Sequence, residues 1–370
     1  MKKLTILLLS ALLLLASCAP SLNDEAEVLQ NDEDSQVETS IVPGNRLADD
    51  TYRMILPYKT SAARGVIVDQ IANRVDIDEM EEGLRRHSTE VFDPKDLYFQ
   101  EGRYLTSDMV IGLIDELNPT IEEDWTREQH EDNPRIFSHV LEQNYLEHFE
   151  DGTVELAGIS IGIGLKSVYN FQVPKNGPSF THDIPMDEML SKGNEVAERI
   201  VQEIRAIEGL ADIPILLSLY REESQSSPVP GNYVSKTVVP GGSNSVGKWE
   251  DINEEYILFP SNEANEKYLD DHEVFNNFQN EIAKFFPNYV GAIGEGFYVN
   301  GELNRLTIEV PIEFYGKAEV IGFTQFALGE VQDDFPNYYD LELNITSSNE
   351  MEALIYRDAK EEQPTVHIFH

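Results

Sequence analysis

Apolar residues recur along this chain with two periods. The period of two is clearest from Leu156 to Val173, where Ile159, Ile161, Ile163 and Leu165 alternate with Ser160, Gly162, Gly164 and Lys166. Such alternation predicts a strand with its aliphatics on one face. The glycines opposite predict a neighbour packed close against the other. Ile213–Tyr220 and Tyr233–Val239 predict two more strands, separated by a loop at 224–232; NGPSF (176–180) reads as another loop. Alternation returns at Leu306, Ile308, Val310, Ile312 and Phe314, then at Leu341, Leu343 and Ile345, with a last strand at Ala353–Tyr356. Pro311 predicts that its strand lies on an edge or carries a bulge, because proline cannot donate to a ladder.

The helical period appears in Ser61–Arg74 (Val66, Ile67, Ile71) and in Arg135–Phe149 (Phe137, Val140, Leu141, Tyr145). It recurs in Asn194–Leu210 (Val196, Ile200, Ile204, Ile207), which Gly209 can close, at Val274, Phe278, Ile282 and Phe285, and over Thr324–Asp333. Pro94, Pro119 and Pro134 punctuate the polar stretch between the first two helices. Strand–helix–strand–strand thus occurs twice, around 156–239 and 303–357. The order predicts an α+β fold of two repeated units, 51–240 and 241–370, each with helices packed on an antiparallel or mixed sheet. Pro240-Gly241-Gly242-Ser243-Asn244-Ser245 marks the boundary.

The N-terminus has no such period. Met1-Lys2-Lys3 precedes a run from Leu4 to Ala16 broken only by Thr5 and Ser10. It is shorter than the roughly 20 residues a spanning helix needs, and it has the length of a signal-peptide core. It ends in Leu15-Ala16-Ser17-Cys18, the form of a bacterial lipobox, and Cys18 is the only cysteine in the chain. Small residues at 16 and 17 admit a peptidase to the Ser17–Cys18 bond, and the thiol accepts a diacylglyceryl group. Residues 1–17 are therefore expected to be an excised signal peptide. Cys18 is expected to anchor the rest to the outer face of the cytoplasmic membrane by palmitate-like chains, through lipoprotein-processing enzymes as partners. Residues 18–50, with nine Asp and Glu and neither period, read as an acidic flexible tether reaching on the order of 100 Å.

Composition narrows the classes. The 370 residues carry 68 acidic against 27 basic side chains, a net charge of −41. No basic run exists to hold a phosphate backbone, which excludes nucleic acid as a partner, and the acidity disfavours broad docking of the body on an anionic membrane. An acidic exterior also suits a salty or alkaline medium. One cysteine excludes a disulfide framework and a Cys-rich zinc site.

Catalytic motifs do not emerge. There is no GxSxG, HExxH, P-loop or EF-hand pattern. Gly158-Ile-Ser-Ile-Gly162-Ile-Gly164 lies within an alternating strand rather than at a strand-to-helix turn, and Gly291-Ala-Ile-Gly294-Glu-Gly296 reads as a turn. No histidine has a second ligand at metal spacing. Asp76-Ile-Asp78-Glu79-Met-Glu81-Glu82 is read as a solvated helix face rather than a Ca²⁺ site. Ser179, His182 and Asp183 are close in sequence, which is not triad geometry. No metal, cofactor or catalysis is expected. For a ligand groove the candidates are Tyr169, Ser179, His182 and Tyr315.

Several segments together resemble one family. They are Tyr52-Arg53-Met-Ile-Leu-Pro57-Tyr58-Lys59 with Ala63-Arg64-Gly65, the Gly158–Leu165 strand with Ser167-Val168-Tyr169, Gly177-Pro178-Ser179-Phe180, Pro230-Gly231, Tyr315-Gly316-Lys-Ala-Glu319, and the ending Val366-His367-Ile368. In this order they are similar to the CamS family of bacterial lipoproteins, the sex-pheromone precursors of Gram-positive bacteria. The resemblance implies a duplicated domain, and a leader whose C-terminal end is trimmed to a short apolar peptide that acts on plasmid conjugation. Here that segment is Ala11-Leu12-Leu13-Leu14-Leu15-Ala16-Ser17, with Leu12 and Leu13 where the family's better-known peptides carry Ile and Phe. The function expected is a surface lipoprotein that supplies this peptide. The alternatives are an extracytoplasmic binding module for an envelope ligand or partner, with a cleft between the units, and an envelope hydrolase built on paired carboxylates.

Overall fold

A computed structural model describes residues 26–30, 38–42, 47–48, 51–61, 63–71, 73–149, 153–286, 289, 291–348 and 350–369. Cys18 and residues 11–17 lie outside the described residues. In chain order the elements begin with a ribbon, β1 (Ala26–Gln30) antiparallel to β2 (Glu38–Val42). The tether expected at 18–50 therefore contains paired strands.

The first unit comprises β3 (Arg53–Met54), α1 (Arg64–Gln70), α2 (Arg74–Ser88), β4 (Leu97–Glu101), α3 (Ser107–Leu117), α4 (Arg127–Asp132), β5 (Phe137–His148), β6 (Val154–Lys166), β7 (Val168–Gln172), β8 (Ser179–Asp183), α5 (Met186–Ala206), β9 (Ile215–Glu222), β10 (Asn232–Val239) and β11 (Glu250–Asp251). The second comprises β12 (Glu254–Phe259), α6 (Asn262–Lys267), α7 (Leu269–Phe285), β13 (Ile293–Val299), β14 (Glu302–Pro311), α8 (Lys317–Asp334), β15 (Asp340–Ser347), β16 (Glu350–Arg357) and β17 (Thr365–Ile368).

The first sheet runs β3-β4-β5-β6-β9-β10-β11 and the second β12-β13-β14-β15-β16-β17. Six strands of one match the six of the other, β4 to β12, β5 to β13, β6 to β14, β9 to β15, β10 to β16 and β11 to β17. Every neighbouring pair agrees in sense. β6–β9 and β14–β15 are parallel, and the other four pairs among the six matched strands of each sheet are antiparallel; β3, which has no counterpart, pairs parallel to β4. The crossovers match too, α3–α4 with α6–α7 and α5 with α8. The repeat is thus longer than strand–helix–strand–strand. Because β11 belongs to the first sheet, the change of sheet falls between Asp251 and Glu254, past the glycine-rich loop at 240–245.

The two sheets differ in how they are covered. The first packs Ile159, Ile161, Ile163 and Leu165 against Val196, Ile200 and Ile204 of α5 and Leu113 of α3. Its other face meets Met80 and Leu84 of α2 through Leu141, Tyr220 and Tyr233. Residues 137–146 of β5 are therefore all buried. This overturns the helix read at Arg135–Phe149. A strand apolar on both faces loses its alternation, and chance helical spacing then dominates the pattern. The second sheet buries mainly one face, where Leu306, Ile308, Val310, Leu343 and Ile345 meet Phe278 and Ile282 of α7 and Phe323 of α8, so β14, β15 and β16 read correctly; β12 and β17 escaped the pattern, and Gly294 and Gly296, read as part of a turn, lie in β13.

Of the two expectations for the Pro311 strand, the edge fails and the bulge holds, at Asn304 rather than at the proline: β14 is a central strand, and Pro311 ends it beyond the last β13 partner at Glu309. The ladder on that side has stopped, so the missing donor is tolerated. The acidic run on α2 is not uniformly solvated: Asp76 and Glu79 are buried. Asp76 accepts from the Gly231 and Glu223 amides at 2.6 and 3.1 Å and from Tyr220 Oη at 2.8 Å. It is a structural carboxylate tying α2 to the β9–β10 loop.

Candidate functional site

The loop between α3 and α4, the end of β6 and the β7–β8 hairpin enclose a groove of about 550 Å³. Local chemistry sets its walls. Thr126 starts α4 with a reciprocal cap, its hydroxyl accepting from the Gln129 amide at 3.3 Å while the Thr126 amide donates to Gln129 Oε1 at 2.8 Å. That cap fixes the turn carrying His130, whose Nδ1 lies 3.1 Å from the Tyr169 hydroxyl. His130 stacks on Phe171 with centroids 4.6 Å apart, and Trp125 meets His130 edge-on at 5.3 Å. Tyr169 and Phe171, two apart on β7, face the same way and stack at 5.3 Å. Burial pushes the Tyr169 hydroxyl above its ordinary range, against the lowering effect of Arg135.

Three cations line the same groove: Arg135, Lys166 and Lys175. Arg135 donates to the Pro119 carbonyl at 3.2 Å, and Lys175 pairs with Glu123 at the rim at 3.2 Å. Lys166, half-buried, ends β6 opposite Glu222 of β9. Among the described residues its ammonium has no hydrogen-bond or ion-pair partner. Burial lowers the Lys166 pKa, Glu222 acts against that, and the like charge of Arg135 adds to it. Glu222 is fully sequestered, accepts from Ser138 Oγ, and is pushed up by burial to about 8.

Of the candidates named from sequence, Tyr169 alone lines this groove. Tyr169 and His182 are cross-strand partners, as are Gln172 and Ser179. Ser179 is exposed and its Oγ accepts from Gln172 at 3.3 Å. Strand alternation turns His182 away from the face that carries Ser179 and Asp183, so the three form no triad. Tyr315 is 91% exposed on the second unit, and its flanking Phe314 and Gly316 line a different groove with Lys317 and Phe369. The structure does not bring it to the hairpin. A further groove of about 500 Å³ at the junction of the sheets is lined by Arg221, Asn232 and the 251–255 segment. Among the described residues no group of three His, Cys, Asp or Glu is placed to hold a metal.

Sequence reasoning missed Trp125, His130, Arg135 and Lys166. They come from separate segments at no diagnostic spacing. The one available signal was Lys166, a lone charge closing a long aliphatic and glycine strand.

The family model for the CamS sex pheromone cAM373 precursor matches residues 58–363. The chain belongs to the CamS family. Its fold is similar to the crystal structure of a sex pheromone precursor from Lactobacillus salivarius subsp. salivarius UCC118, with a TM-score of 0.83 at 26% identity over 90% of this chain and 99% of that one. It is also similar to the C-terminal domain of the sex pheromone staph-cAM373 precursor from Staphylococcus aureus, with a TM-score of 0.71 at 26% identity over 82% of this chain and 99% of that one. No curated protein matches.

Proposed function

We propose that this CamS-family chain is a lipid-anchored surface precursor with two products. The leader, cut between Ser17 and Cys18, yields the heptapeptide of residues 11–17 as a signal acting on plasmid conjugation. The body from Cys18 onward stays on the outer face of the cytoplasmic membrane as a non-catalytic module. One observation carries the reading: the only cysteine of 370 residues closes a short apolar run after Leu-Ala-Ser. Membership of a sex pheromone precursor family supports the use of the leader. The physics is consistent. A peptide of Ala, Leu and one Ser has no charged side chain and enters apolar receptor pockets, while two or more acyl chains at about 0.8 kcal/mol per methylene give stable anchoring.

Mass spectrometry tests both halves. The N-terminal peptide of the mature protein is expected to carry a diacylglyceryl mass at Cys18. The culture medium is expected to contain ALLLLAS, and synthetic ALLLLAS is expected to raise plasmid transfer. An unmodified Cys18, or synthetic peptide inactive at micromolar concentration, overturns the corresponding half.

A further inference from the structure

We propose that the groove beside the β7–β8 hairpin binds an acidic sugar, its ring against Trp125 and its single phosphate or carboxylate held by Lys166 and Arg135. This concerns the body alone and stands apart from the leader.

Charge complementarity carries the argument. In a chain of net charge −41, three of 27 basic residues converge on one groove. Lys166 is the inner cation, without a hydrogen-bond or ion-pair partner among the described residues and crowded by the like charge of Arg135. Its cross-strand neighbour Glu222 is engaged by Ser138 and comes no closer to the ammonium than an electrostatic attraction across the strands. An anion in the groove would relieve Lys166, give Arg135 a second counterion beside Asp115, which lies 3.8 Å away, and form charge-assisted hydrogen bonds with both. The rim also carries Glu122 and Glu123, the latter paired with Lys175. Those carboxylates repel a polyanion and accept hydrogen bonds from hydroxyls, so they select a ligand with one anionic group and several hydroxyls. Tyr169, Phe171 and His130 are buried against one another and form a fixed backing, and the half-buried Trp125, which meets His130 edge-on, is the aromatic face left to a ligand. A volume of about 550 Å³ lies in the range of small-ligand sites.

The test titrates the full chain with N-acetylglucosamine 6-phosphate, glucuronate, N-acetylglucosamine and inorganic phosphate, by calorimetry and by Trp125 fluorescence in a Trp249→Phe background. At least one acidic sugar is expected to saturate; which one distinguishes phosphate from carboxylate. The neutral sugar and inorganic phosphate are expected to bind about tenfold more weakly or less, the loss for one charge-assisted contact. Lys166→Met and Trp125→Ala are each expected to weaken binding by a similar factor, and Lys317→Met, on the second unit, to leave it unchanged. If Lys166→Met does not fold, Trp125→Ala and the fluorescence change decide. No saturation up to about 10 mM of either acidic sugar, equal binding of inorganic phosphate, or undiminished binding in folded Lys166→Met and Trp125→Ala overturns the proposal.

Discussion

Arg86 on α2 and Glu254 at the start of β12 form an ion pair of 3.0 Å that joins the helix covering the first sheet to the edge strand of the second. The His87 ring lies 3.2 Å from the same carboxylate, and Arg86 sits 4.5 Å above the Phe297 ring of β13. The two sheets are thus joined by a buried carboxylate with two partners. Removing one partner of such a pair strands the other. Glu254→Ala is expected to cost about 3 kcal/mol, the low end for a buried pair, because Arg86 keeps Glu79 and stays partly exposed. Urea denaturation measures it, and a double-mutant cycle with Arg86→Met isolates the coupling.

The same carboxylate sets an acid limit. Burial alone raises its pKa, but His87 and Arg86 outweigh burial, so Glu254 titrates below its ordinary value of 4.5. A group with a depressed folded pKa stabilises above its unfolded pKa and loses that contribution as pH falls through the folded one. The wild-type melting temperature is expected to fall more steeply below about pH 4.5 than that of Glu254→Gln. Parallel slopes would contradict the pairing.

Glu222 acts in the opposite sense. Burial lifts it from 4.5 to about 8, and Asp76 from 3.8 to about 6. For a raised folded pKa, the contribution is complete below the unfolded value and is lost as pH rises through the folded one. Glu222→Gln keeps an acceptor for Ser138 and removes the titration. Relative to wild type, this variant is expected to gain melting temperature steadily from pH 5 to pH 8, which a thermal scan at each pH reads.

Glycines on β6 make space for large side chains. A Cβ at Gly158 would lie 2.0 Å from Phe92, whose ring stacks on Tyr145 at 4.8 Å. Both rings belong to a packed cluster with no room to retreat. Gly158→Ala is expected to destabilise by about 1–3 kcal/mol through overpacking. Gly322→Ala on α8 meets nothing within 4 Å, and is expected to be neutral or slightly stabilising by helix propensity. Denaturation midpoints of the two variants check the contrast.

The close approach to β6 was legible in the sequence, because Gly162 and Gly164 interrupt one face of an otherwise aliphatic strand; what fills the space, Tyr233 at Gly162 and Ser138 at Gly164, was not. The repeat was legible because β14, β15 and β16 bury a single face. Legibility failed where burial became two-sided. Phe137 to Leu146 reads as a helix only because the residues between the apolar ones, such as Ser138, His139 and Asn144, are buried as well. The groove was hidden for another reason. Tyr169, named from sequence, owes its role to His130, Trp125 and Lys166, which the crossover from α4 to β6 and the following hairpin bring together in space. No local period records that meeting.

The leader and the groove are separate in sequence and in chemistry, and variants should separate them. Residues 11–17 precede Cys18 and form no part of the mature body under the proposed cleavage. Leu13→Asp places a charge in the apolar peptide, which costs about 2.5–3.5 kcal/mol on membrane insertion scales and disfavours an apolar receptor. It is expected to abolish signalling by synthetic peptide in a plasmid-transfer assay. A strain carrying Lys166→Met is expected to release unaltered ALLLLAS and to signal normally, while its surface protein loses affinity for the acidic sugar. Loss of transfer in the Lys166→Met strain, with normal peptide in the medium, would mean that the body takes part in signalling and that the two products are one device.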